Sequence, residues 1–505
     1  MIDRNKKRVS DIISTSDIES WTTKNLIIIS AGTGAGKSYF VKNQLYEYAK
    51  SEGKKILFLI HRTNCVNQFR YEIERDHKTD TIDIMTYQKM EYDILNYDRH
   101  INFPTYKYIV CDEFHYFVSD TNFNKTTDIS FTEIMRQRQC IKLFMSATGE
   151  KVEYYLSRRN RKNICQYSLS SNYSYVQQLT FFSQDEDVNY IADICIKHDT
   201  KAIFFIQSAT KAYKFYKQYA DYSIFNCGKS DAHYKYVDEE AISAMLKNEQ
   251  FDKQFLITTS CFDAGANIID RDVKIIVADI KDISSLIQCL GRKRSIDGGD
   301  KVSFFIKAIN NQQLSGLERS TSKQVEMADY LSSHDTQALI VKYPRQVDYN
   351  VIIYDDVRVN KQKNMATKRI NQLMYYKKKS DIAFYKQLMK EEYEYSKFIA
   401  RYLGFYNKKT NWYRYKVLSK DHSLNAYLES IVDVVMLQVK DRKRLIEKLN
   451  VRSNGRQLKS KEALNKAIVE MNLPYEIKEF ATTRYLEGKK KIYKHAWKIV
   501  NIRTS

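Results

Sequence analysis

The chain contains few of the residues that interrupt regular structure. Its 505 residues include 3 prolines and 14 glycines, beside an apolar fraction of 43% and an aromatic fraction of 13%. This composition argues against long disordered linkers and is typical of a globular protein. The length predicts two or three domains.

Targeting and membrane signals are also lacking. Residues 1–8 lack the apolar core of a signal peptide, and no uninterrupted apolar run of about 18 residues occurs. We therefore expect a cytoplasmic protein with no membrane partner. The 8 cysteines are scattered over the first 290 residues without a C-x-x-C pair or a nearby histidine cluster, which argues against a disulfide scaffold or a zinc site.

The positive charge is concentrated at one end of the chain. Residues 351–505 carry +19 of the net charge of +21, with 35 lysines and arginines against 16 acidic residues. A local basic excess favours a surface that binds a polyanion such as nucleic acid. The plainer alternative is a solvated lysine-rich face.

From residue 25 to residue 306, short apolar runs alternate with longer segments of helical periodicity. This alternation predicts an α/β fold with parallel sheets. We predict two tandem lobes, residues 1–155 and 156–312, followed by a mainly helical basic region, residues 313–505. The predicted buried strands are Leu26 to Ile29, Ile56 to Ile60, Tyr108 to Cys111, Leu143 to Met145, Ala202 to Ile206, Phe255 to Thr258 and Lys274 to Ala278.

A glycine-rich segment directly follows the first predicted strand. Small residues there let backbone N–H groups converge on phosphate oxygens at the start of a helix. Lys37 would then reach the β- and γ-phosphates of ATP, and the Ser38 hydroxyl would bind Mg²⁺. The candidate cofactor-binding residues are Ala31, Gly32, Thr33, Gly34, Ala35, Gly36, Lys37 and Ser38.

Two carboxylates follow the strand Tyr108 to Cys111. Asp112, at the strand end, can hold Mg²⁺ through water, and Glu113 can act as general base toward the attacking water. An acidic pair after an apolar run is usually an ordinary surface loop. Its place downstream of a phosphate loop, in an α/β lobe, favours the second half of an ATPase site.

These motifs resemble, in order and spacing, those of superfamily 2 helicases over residues 25–306. Residues 31–38 resemble motif I, Asp112-Glu113-Phe114-His115 resembles motif II of the DExH type, and Ser146-Ala147-Thr148 resembles motif III. The resemblance implies two RecA-like lobes that close on ATP. It also implies a catalytic role for His115 and a coupling role for Ser146 and Thr148.

Two weaker correspondences lie between these motifs. His61-Arg62 resembles motif Ia, and Thr86-Tyr87-Gln88 resembles the Ib/Ic region. In the family both regions contact the nucleic-acid backbone, which implies that role for Arg62, Thr86 and Gln88. Either segment alone could equally be an ordinary strand end.

The second lobe carries three further correspondences. Gln207-Ser208 resembles the end of motif IV, Thr258-Thr259-Ser260 with residues 263–267 resembles motif V, and residues 288–294 resemble motif VI. The resemblance implies that these motifs meet nucleic acid and nucleotide. The residues concerned are Gln207, Ser208, Thr258 and Thr259 for nucleic acid and coupling, Asp263 and Gly265 for nucleotide, and Gln288, Arg292 and Arg294 for catalysis.

There is a chemical reason for arginines in motif VI. A cation presented by the second lobe neutralises charge on the transferring phosphoryl group, which is worth roughly 10³ to 10⁵ in rate. Here Ser295 occupies the place of the usual last arginine and Arg294 lies one residue earlier, in a G-R-x-R pattern. Which arginine acts on the phosphoryl group stays open. The first 25 residues contain no glutamine, so an adenine-reading Q-motif is not evident.

The basic region suggests its own nucleic-acid contacts. Tyrosines interleaved with lysines suit single strands, because bases stack on aromatic rings while cations bind phosphates, although these tyrosines could also be core residues. We predict a turn at Asn454-Gly455, a helix capped by Ser460 and ending at Glu470, a further helix from Pro474 and a basic hairpin over residues 485–493. That order resembles a winged helix at residues 451–505.

The sequence therefore predicts an ATP- and Mg²⁺-dependent nucleic-acid helicase or translocase. DNA is preferred over RNA as the partner, because the G-R-x-R pattern resembles replication-type helicases of phages, plasmids and viruses. An RNA remodeller of the DExH type is the nearest alternative. A site-specific DNA-binding protein switched by ATP and a motor subunit of a restriction or defence system also remain open.

Overall fold

The computed structural model describes most of residues 7–502. The residues outside this description are 1–6, 33, 62, 97–100, 120–123, 150–151, 154, 157–162, 170–171, 261–266, 296, 357–366, 392, 411, 419–423, 425–426, 454–455, 472, 487–488 and 503–505. The chain divides into two compact units. One contains residues 1–181 and 195–415, and the other contains residues 182–194 and 416–505.

The first lobe is built on a parallel sheet. Its strands are β1 (Leu26–Ala31), β2 (Lys55–Ile60), β3 (Ile82–Thr86), β4 (Tyr106–Asp112), β5 (Ile141–Ser146) and β6 (Ile164–Leu169). They lie in the order β3-β2-β4-β5-β1-β6, and every pairing is parallel. The central strands are apolar on both faces and are almost fully buried, as expected for a parallel sheet covered by helices. The sheet extends past the expected boundary at residue 155, because β6 pairs with β1.

Helices flank this sheet and begin at its carboxyl edge. The helix after β1 starts at Lys37 and continues through a π-helical turn, Val41–Leu45, to Ser51. The helices of the first lobe are α1 (Val9–Ile12), α2 (Thr15–Ser20), α3 (Lys37–Phe40), α4 (Tyr46–Ser51), α5 (Thr63–Arg75), α6 (Tyr87–Asn96), α7 (Tyr116–Ser119) and α8 (Thr127–Arg136).

The second lobe repeats the design. Its strands are β7 (Val176–Phe182), β8 (Lys201–Ile206), β9 (Ser223–Asn226), β10 (Phe255–Thr258), β11 (Val273–Asp279) and β12 (Val302–Lys307), in the order β7-β12-β11-β8-β10-β9. Strands β8 to β12 pair in parallel. The helices along this stretch are α9 (Glu186–Lys197), α10 (Ala209–Gln218), α11 (Glu239–Asn248) and α12 (Ile283–Leu290). The predicted α/β class with two parallel-sheet lobes is confirmed, and each of the seven predicted strands lies within an observed one.

The segment of residues 311–415 is mainly helical and packs on both lobes. Its helices are α13 (Asn311–Ser333), α14 (Thr336–Lys342), α15 (Gln372–Leu388) and α16 (Glu394–Tyr402). It also contains the short antiparallel pairs β13 (Ile353–Asp355) with β14 (Lys368–Ile370), and β15 (Tyr406–Asn407) with β16 (Trp412–Tyr413). A further short strand, β17, spans Tyr415–Val417.

Helix α15 joins the hydrophobic cores of the two lobes. At its start, Leu373 belongs to the core of the first lobe, and at its end Leu388 belongs to the core of the second. The buried cap residue Asn371 donates its amide to the carbonyl of Lys125 at 3.0 Å and to Oγ1 of Thr127 at 2.9 Å. One helix therefore connects both halves of the α/β unit.

The second compact unit has its own core and its own secondary structure. Its elements after residue 416 are α17 (Val439–Leu449), β18 (Arg452–Ser453), β19 (Arg456–Gln457), α18 (Lys461–Glu470), β20 (Tyr475–Leu486) and β21 (Lys489–Asn501). The predicted helix from Ser460 to Glu470 is confirmed, with Ser460 as its cap. The helix predicted from Pro474 is wrong, because Tyr475–Leu486 is a strand that pairs with Lys489–Asn501 in one long antiparallel hairpin. The expectation of a mainly helical C-terminal region therefore holds only in part.

That hairpin includes the shorter one predicted at residues 485–493. The expected turn at Asn454-Gly455 lies outside the described residues, between the paired strands β18 and β19. No described helix combines the length and the hydropathy that a bilayer crossing requires.

Candidate active site

The phosphate loop connects β1 to a helix that begins at Lys37. Gly34 and Gly36 adopt positive φ angles of 79° and 84°, which side chains rarely tolerate, so glycine is required at both turns. The Lys37 ammonium is buried and donates to the carbonyls of Ala31 at 2.9 Å and Gly32 at 3.4 Å. The loop thus gathers a cation and the first N–H groups of a helix at one strand end, which suits phosphate binding.

An N-terminal segment supports this loop from outside. The Val9 N–H donates to the carbonyl of Ala35 at 2.9 Å, and the Val9 side chain is fully buried in the core of the first lobe. A Cβ placed on Gly36 would lie 3.5 Å from the Arg8 side chain. Residues before the first strand therefore help to hold the loop, although they contain no glutamine. Thr33 lies outside the described residues.

The acidic pair lies at the end of β4, next to β5 in the sheet. Glu113 has a positive φ of 48°, a conformation that non-glycine residues rarely adopt and that is often found at functional sites. Burial and the neighbouring Glu113 raise the pKa of Asp112. Burial acts in the same direction on Glu113, but Lys37, His115 and Arg292 hold the pKa of Glu113 below its usual range. Glu113 is therefore the carboxylate that stays ionised, as a general base must.

The residues present fit a magnesium ion. One carboxylate oxygen of Asp112, Oδ1, is buried and has no hydrogen-bond partner, and an oxygen of this kind is what Mg²⁺ prefers. Ser38 is the second residue of the helix that follows the loop. The hydroxyl of Ser38 and the carboxylate of Asp112, directly or through water, would hold the ion. Bound there, Mg²⁺ would neutralise charge on the β- and γ-phosphates.

A hydrogen-bond network links the two lobes at Glu113. The Nδ1 atom of His115 lies 3.2 Å from Oε2 of Glu113 and 3.0 Å from Oγ of Ser146. From the second lobe, Nε2 of Gln288 lies 2.7 Å from Nε2 of His115 and donates to Oγ1 of Thr148 at 3.1 Å. The residues predicted from motifs II, III and VI therefore meet in one buried cluster.

The His115 ring lies between the two lobes. The amide nitrogen of Gln288 lies 2.7 Å from Nε2 and 3.3 Å from Nδ1 of this ring, and Nδ1 faces Glu113 and Ser146. The Ser146 hydroxyl accepts from the Thr148 N–H at 3.1 Å and donates to Glu113 at 3.4 Å. If Gln288 shifted with the second lobe, the hydrogen bonds that His115 and Ser146 make to the Glu113 carboxylate would therefore change.

The arginines of the second lobe face the phosphate loop. A Cβ placed on Gly34 would lie 2.9 Å from Nη1 of Arg294, so this guanidinium lies against the loop. Its Nε donates to Oδ1 of Asn267 at 3.0 Å. Burial, together with the charge of Arg292, lowers the pKa of Arg294 to about 10, so the group remains charged at neutral pH. Arg292 is 4% exposed and its charge acts on Glu113.

A buried ion pair supports the loop that carries these arginines. Lys293 and Asp300 are both fully buried at 0% side-chain exposure, and their charged atoms are 2.5 Å apart. The backbone of Arg292 and Arg294 is hydrogen-bonded to Ile268 in both directions at 2.9 Å. Removing one partner of such a pair would leave a buried charge, so the pair holds Lys293 inside the protein. Arg292 and Arg294, on either side of Lys293, then lie toward the crevice.

The predicted nucleic-acid residues that the structure describes lie at the last residue of a strand or just after it, at the carboxyl edges of the two sheets. Several of these side chains accept hydrogen bonds from backbone N–H groups. The Ser208 side chain caps α10, the Thr86 hydroxyl accepts from the Lys89 N–H at 2.9 Å, and Gln207 accepts from the Lys281 N–H at 3.0 Å. Thr258 and Thr259 are buried, and Oε1 of Gln88 is buried without a hydrogen-bond partner. Arg62, Asp263 and Gly265 lie outside the described residues.

Three residues of the site were not predicted. Asn267 orients Arg294, and Asp300 neutralises Lys293. Gly149, directly after motif III, is required because a Cβ there would lie 2.1 Å from the Phe114 ring. Asn267 could have been found as the last residue of the motif V segment, whereas nothing in the sequence singles out Asp300.

The fold and the site combine two parallel-sheet lobes with a phosphate loop, an acidic pair and arginines from the second lobe. A family model described as "Type III restriction enzyme, res subunit" matches residues 3–151, which contain motifs I to III. Together with the parallel sheets, this match supports a superfamily 2 helicase. A comparison with curated proteins finds no significant match.

Several solved helicase structures show a distant likeness. The S. cerevisiae protein Dbp5, solved with RNA and ADP BeF3, shares 14% identity over 58% of this chain and 83% of its own, with a TM-score of 0.44. A DEAD box protein from Methanococcus jannaschii shares 15% over 58% and 85%, with a TM-score of 0.34. The helicase MrfA, solved with DNA and AMPPNP, shares 14% over 59% and 50%, with a TM-score of 0.41. At this distance none of their ligands carries over to this chain.

Proposed function

We propose that the chain is an ATP-hydrolysing nucleic-acid motor, a helicase or translocase of superfamily 2. The observation that carries the proposal is the contact of Gln288, from the second lobe, with His115 beside the Glu113 carboxylate of the first lobe. A buried polar contact of this kind between two α/β lobes has a chemical reason if hydrolysis in the crevice and movement of the lobes are linked.

Each side chain has a distinct task in hydrolysis. Lys37 and the helix that it begins bind the β- and γ-phosphates, and Ser38 and Asp112 hold Mg²⁺. Glu113, kept ionised by the cations around it, orients the attacking water and takes its proton. Arg294, which lies against Gly34, places its charge on the transferring phosphoryl group, and Arg292 acts on Glu113.

The same network couples chemistry to movement. A proton taken up by Glu113 weakens its charge-assisted contacts with His115 and Ser146, and these are the groups that hold Gln288 and Thr148. Loss of charge at Glu113 therefore loosens the link between the lobes. Opening and closing of the two lobes would step them along a strand that lies across the carboxyl edges of both sheets.

We propose DNA as the preferred partner, for replication, recombination or repair. The support is the G-R-x-R pattern of motif VI and the basic hairpin in the C-terminal unit. The hairpin strands pair over residues 475–501, and the second strand begins with Lys489-Lys490-Lys491. A long basic hairpin after a helix suits contacts with duplex phosphates, although the helix expected from Pro474 in a winged helix is replaced here by the first strand of the hairpin.

An unwinding assay on DNA, RNA and hybrid duplexes tests this proposal. The wild type should separate DNA strands with ATP, and Glu113→Gln should bind ATP and nucleic acid but lose at least about 10²-fold in turnover. Lys37→Ala should lose nucleotide binding and serves as the second control.

Each contrary outcome identifies another class of protein. RNA unwinding alone would indicate an RNA remodeller, and duplex-stimulated hydrolysis without strand separation would indicate a translocase of the restriction type. Sequence-selective binding that persists in Lys37→Ala would indicate a DNA-binding protein switched by ATP. Absence of ATP hydrolysis under all conditions would contradict the proposal.

A further inference from the structure

Two tyrosines stack on each other at the outer edge of the second lobe. Tyr213 on α10 and Tyr236, in the 3₁₀ turn Tyr234–Tyr236, have ring centroids 4.3 Å apart and planes 15° from parallel. Tyr213 rests on Phe225 of β9, at 5.7 Å between centroids. Tyr236 is 44% exposed, so the stack is fixed to the lobe on one side and open to solvent on the other.

Cations surround this stack. The Lys235 ammonium lies 5.0 Å from the centroid of the Tyr236 ring. Lys217 follows Tyr213 by four residues on α10, so both lie on one face of the helix. A hydrogen bond from Tyr213 and the charges of Lys235 and Lys217 lower the pKa of Tyr236, which is consistent with their proximity. Of the acids close to Tyr236 in sequence, Asp231 is paired with His233, Asp238 caps α11, and Glu239 and Glu240 lie in the first turn of that helix.

The sheet topology places this stack beside the proposed nucleic-acid path. Strand β10 pairs in parallel with β8 on one side and with β9 on the other, and Thr258 is in register with both Phe205 and Asn226. The ends of motifs IV and V and the segment after β9 therefore lie along one carboxyl edge. Adjacent strands are about 4.8 Å apart, so β9 lies about 10 Å from β8, a spacing of one or two nucleotides.

A purely structural role explains this arrangement poorly. Tyr213 is anchored by Phe225 and needs no partner on its outer face. Tyr236 leaves 44% of its surface exposed, although a large aromatic side chain stabilises a protein mainly by burial. An exposed ring that is held parallel to a second ring and flanked by lysines has the composition of a platform on which a base stacks.

We propose that Tyr236, backed by Tyr213, stacks on a base of single-stranded nucleic acid bound to the second lobe. Lys235 and Lys217 bind the phosphates that flank this base. The inference rests on the proposed function and adds a site to it: the second lobe grips a base as well as the backbone. The stack accepts any base, because every base offers an aromatic face.

Single-strand binding by Tyr236 variants tests the proposal in the full chain. Loss of one stacked base corresponds to a rise in Kd of about 5- to 150-fold for Tyr236→Ala. Tyr236→Phe and Tyr236→Trp should bind as tightly as the wild type. An oligonucleotide with 2-aminopurine at successive positions should show quenching at one position, absent in Tyr236→Ala and present in Tyr236→Phe.

Tyr222 provides a matched control on the same lobe. It is 43% exposed, like Tyr236, but it precedes β9 and lies at the opposite edge of the sheet. Tyr222→Ala should leave Kd and quenching unchanged. Lys235→Ala should reduce the salt dependence of single-strand binding by about 0.7 in the log–log slope, whereas Tyr236→Ala should leave the slope unchanged.

The outcomes separate this inference from the proposed function. If Tyr236→Ala binds and quenches like the wild type while ATP hydrolysis still responds to single strands, the platform is refuted and the motor stands. If the wild type binds no single strand, both proposals fail together. Quenching of 2-aminopurine in DNA but not in RNA oligonucleotides, or the reverse, would identify which kind of single strand Tyr236 contacts.

Discussion

The two segments that follow the second lobe differ in what they belong to. Residues 311–415 share hydrophobic cores with both lobes through α15, whereas residues 416–505 fold around a separate core that includes Leu428, Leu464 and Trp497. Both segments are rich in lysine. Similar composition therefore hides two roles: the first segment completes the ATPase unit, and the second forms an additional module.

This difference shows that a high density of basic residues does not reveal which residues belong to the same domain. In α15, Lys377 lies among basic neighbours, yet it is largely buried and paired with Asp381 at 2.8 Å. It also lies 4.0 Å from Asp282, which caps the helix that carries Gln288. A lysine that looked like part of a nucleic-acid surface is instead placed to support the active site.

The largest expected effect comes from a matched pair of leucines. Leu373→Ala should destabilise the unit that contains the lobes by about 2 to 5 kcal/mol, because it opens a cavity in the core of the first lobe. Leu464→Ala, equally buried, should destabilise only the C-terminal unit by a similar amount. Calorimetry should show two transitions, each shifted by one variant. A single transition that both variants lower equally would mean that the two segments do not differ in this way.

Sequence patterns predicted the central strands well because apolar runs in a parallel sheet are continuous. Two of the strands that were not predicted have weak patterns: β9 has only four residues, and β6 alternates polar and apolar positions. The motif residues were found because their spacing along the chain is fixed by strand ends. The supports Asn267 and Asp300, and the role of α15 in both cores, depend on long-range packing that no local pattern contains.

The second prediction concerns Lys377. Lys377→Ala removes the ammonium that pairs with the buried Asp381 carboxylate, which should destabilise the lobes by about 1 to 3 kcal/mol. Because Asp282 caps α12, we also expect a several-fold fall in kcat with little change in the KM for ATP. Lys379→Ala, an exposed neighbour on the same helix, should stay within about 0.5 kcal/mol of the wild type. Equal effects of the two substitutions would place Lys377 on the surface after all.

The third prediction concerns the C-terminal module. Replacing Lys489, Lys490 and Lys491 by glutamine should reduce the salt dependence of duplex binding by about 2.7 in the log–log slope, if each lysine binds one phosphate. Affinity at moderate salt should fall about tenfold. Titrations of labelled duplex at several salt concentrations measure both. An unchanged slope would remove the hairpin from the nucleic-acid surface and leave the module without an assigned partner.

The last prediction is a change in how stability depends on pH. Asp128 in α8 is 5% exposed and accepts a hydrogen bond at 3.3 Å from the hydroxyl of Tyr354, which lies in the segment of residues 311–415. Burial raises the pKa of Asp128 to about 6 from its ordinary 3.8. Between these values the folded state binds more protons than the unfolded state, so the contribution of Asp128 to stability is complete below pH 3.8 and is lost as the pH rises through 6.

Asp128→Asn isolates this contribution, because asparagine keeps the acceptor for Tyr354 and cannot ionise. The stability of the variant relative to the wild type should rise by about 2 kcal/mol between pH 4 and pH 6 and level off above about pH 7. Denaturant unfolding of the variant and the wild type at several pH values measures this difference in stability. Other carboxylates titrate in both proteins, so their contributions cancel in the difference. Only the transition of the lobes should respond. A pH-dependent difference in the C-terminal transition would show that the segment of residues 311–415 and the module unfold together, against the division drawn from their cores.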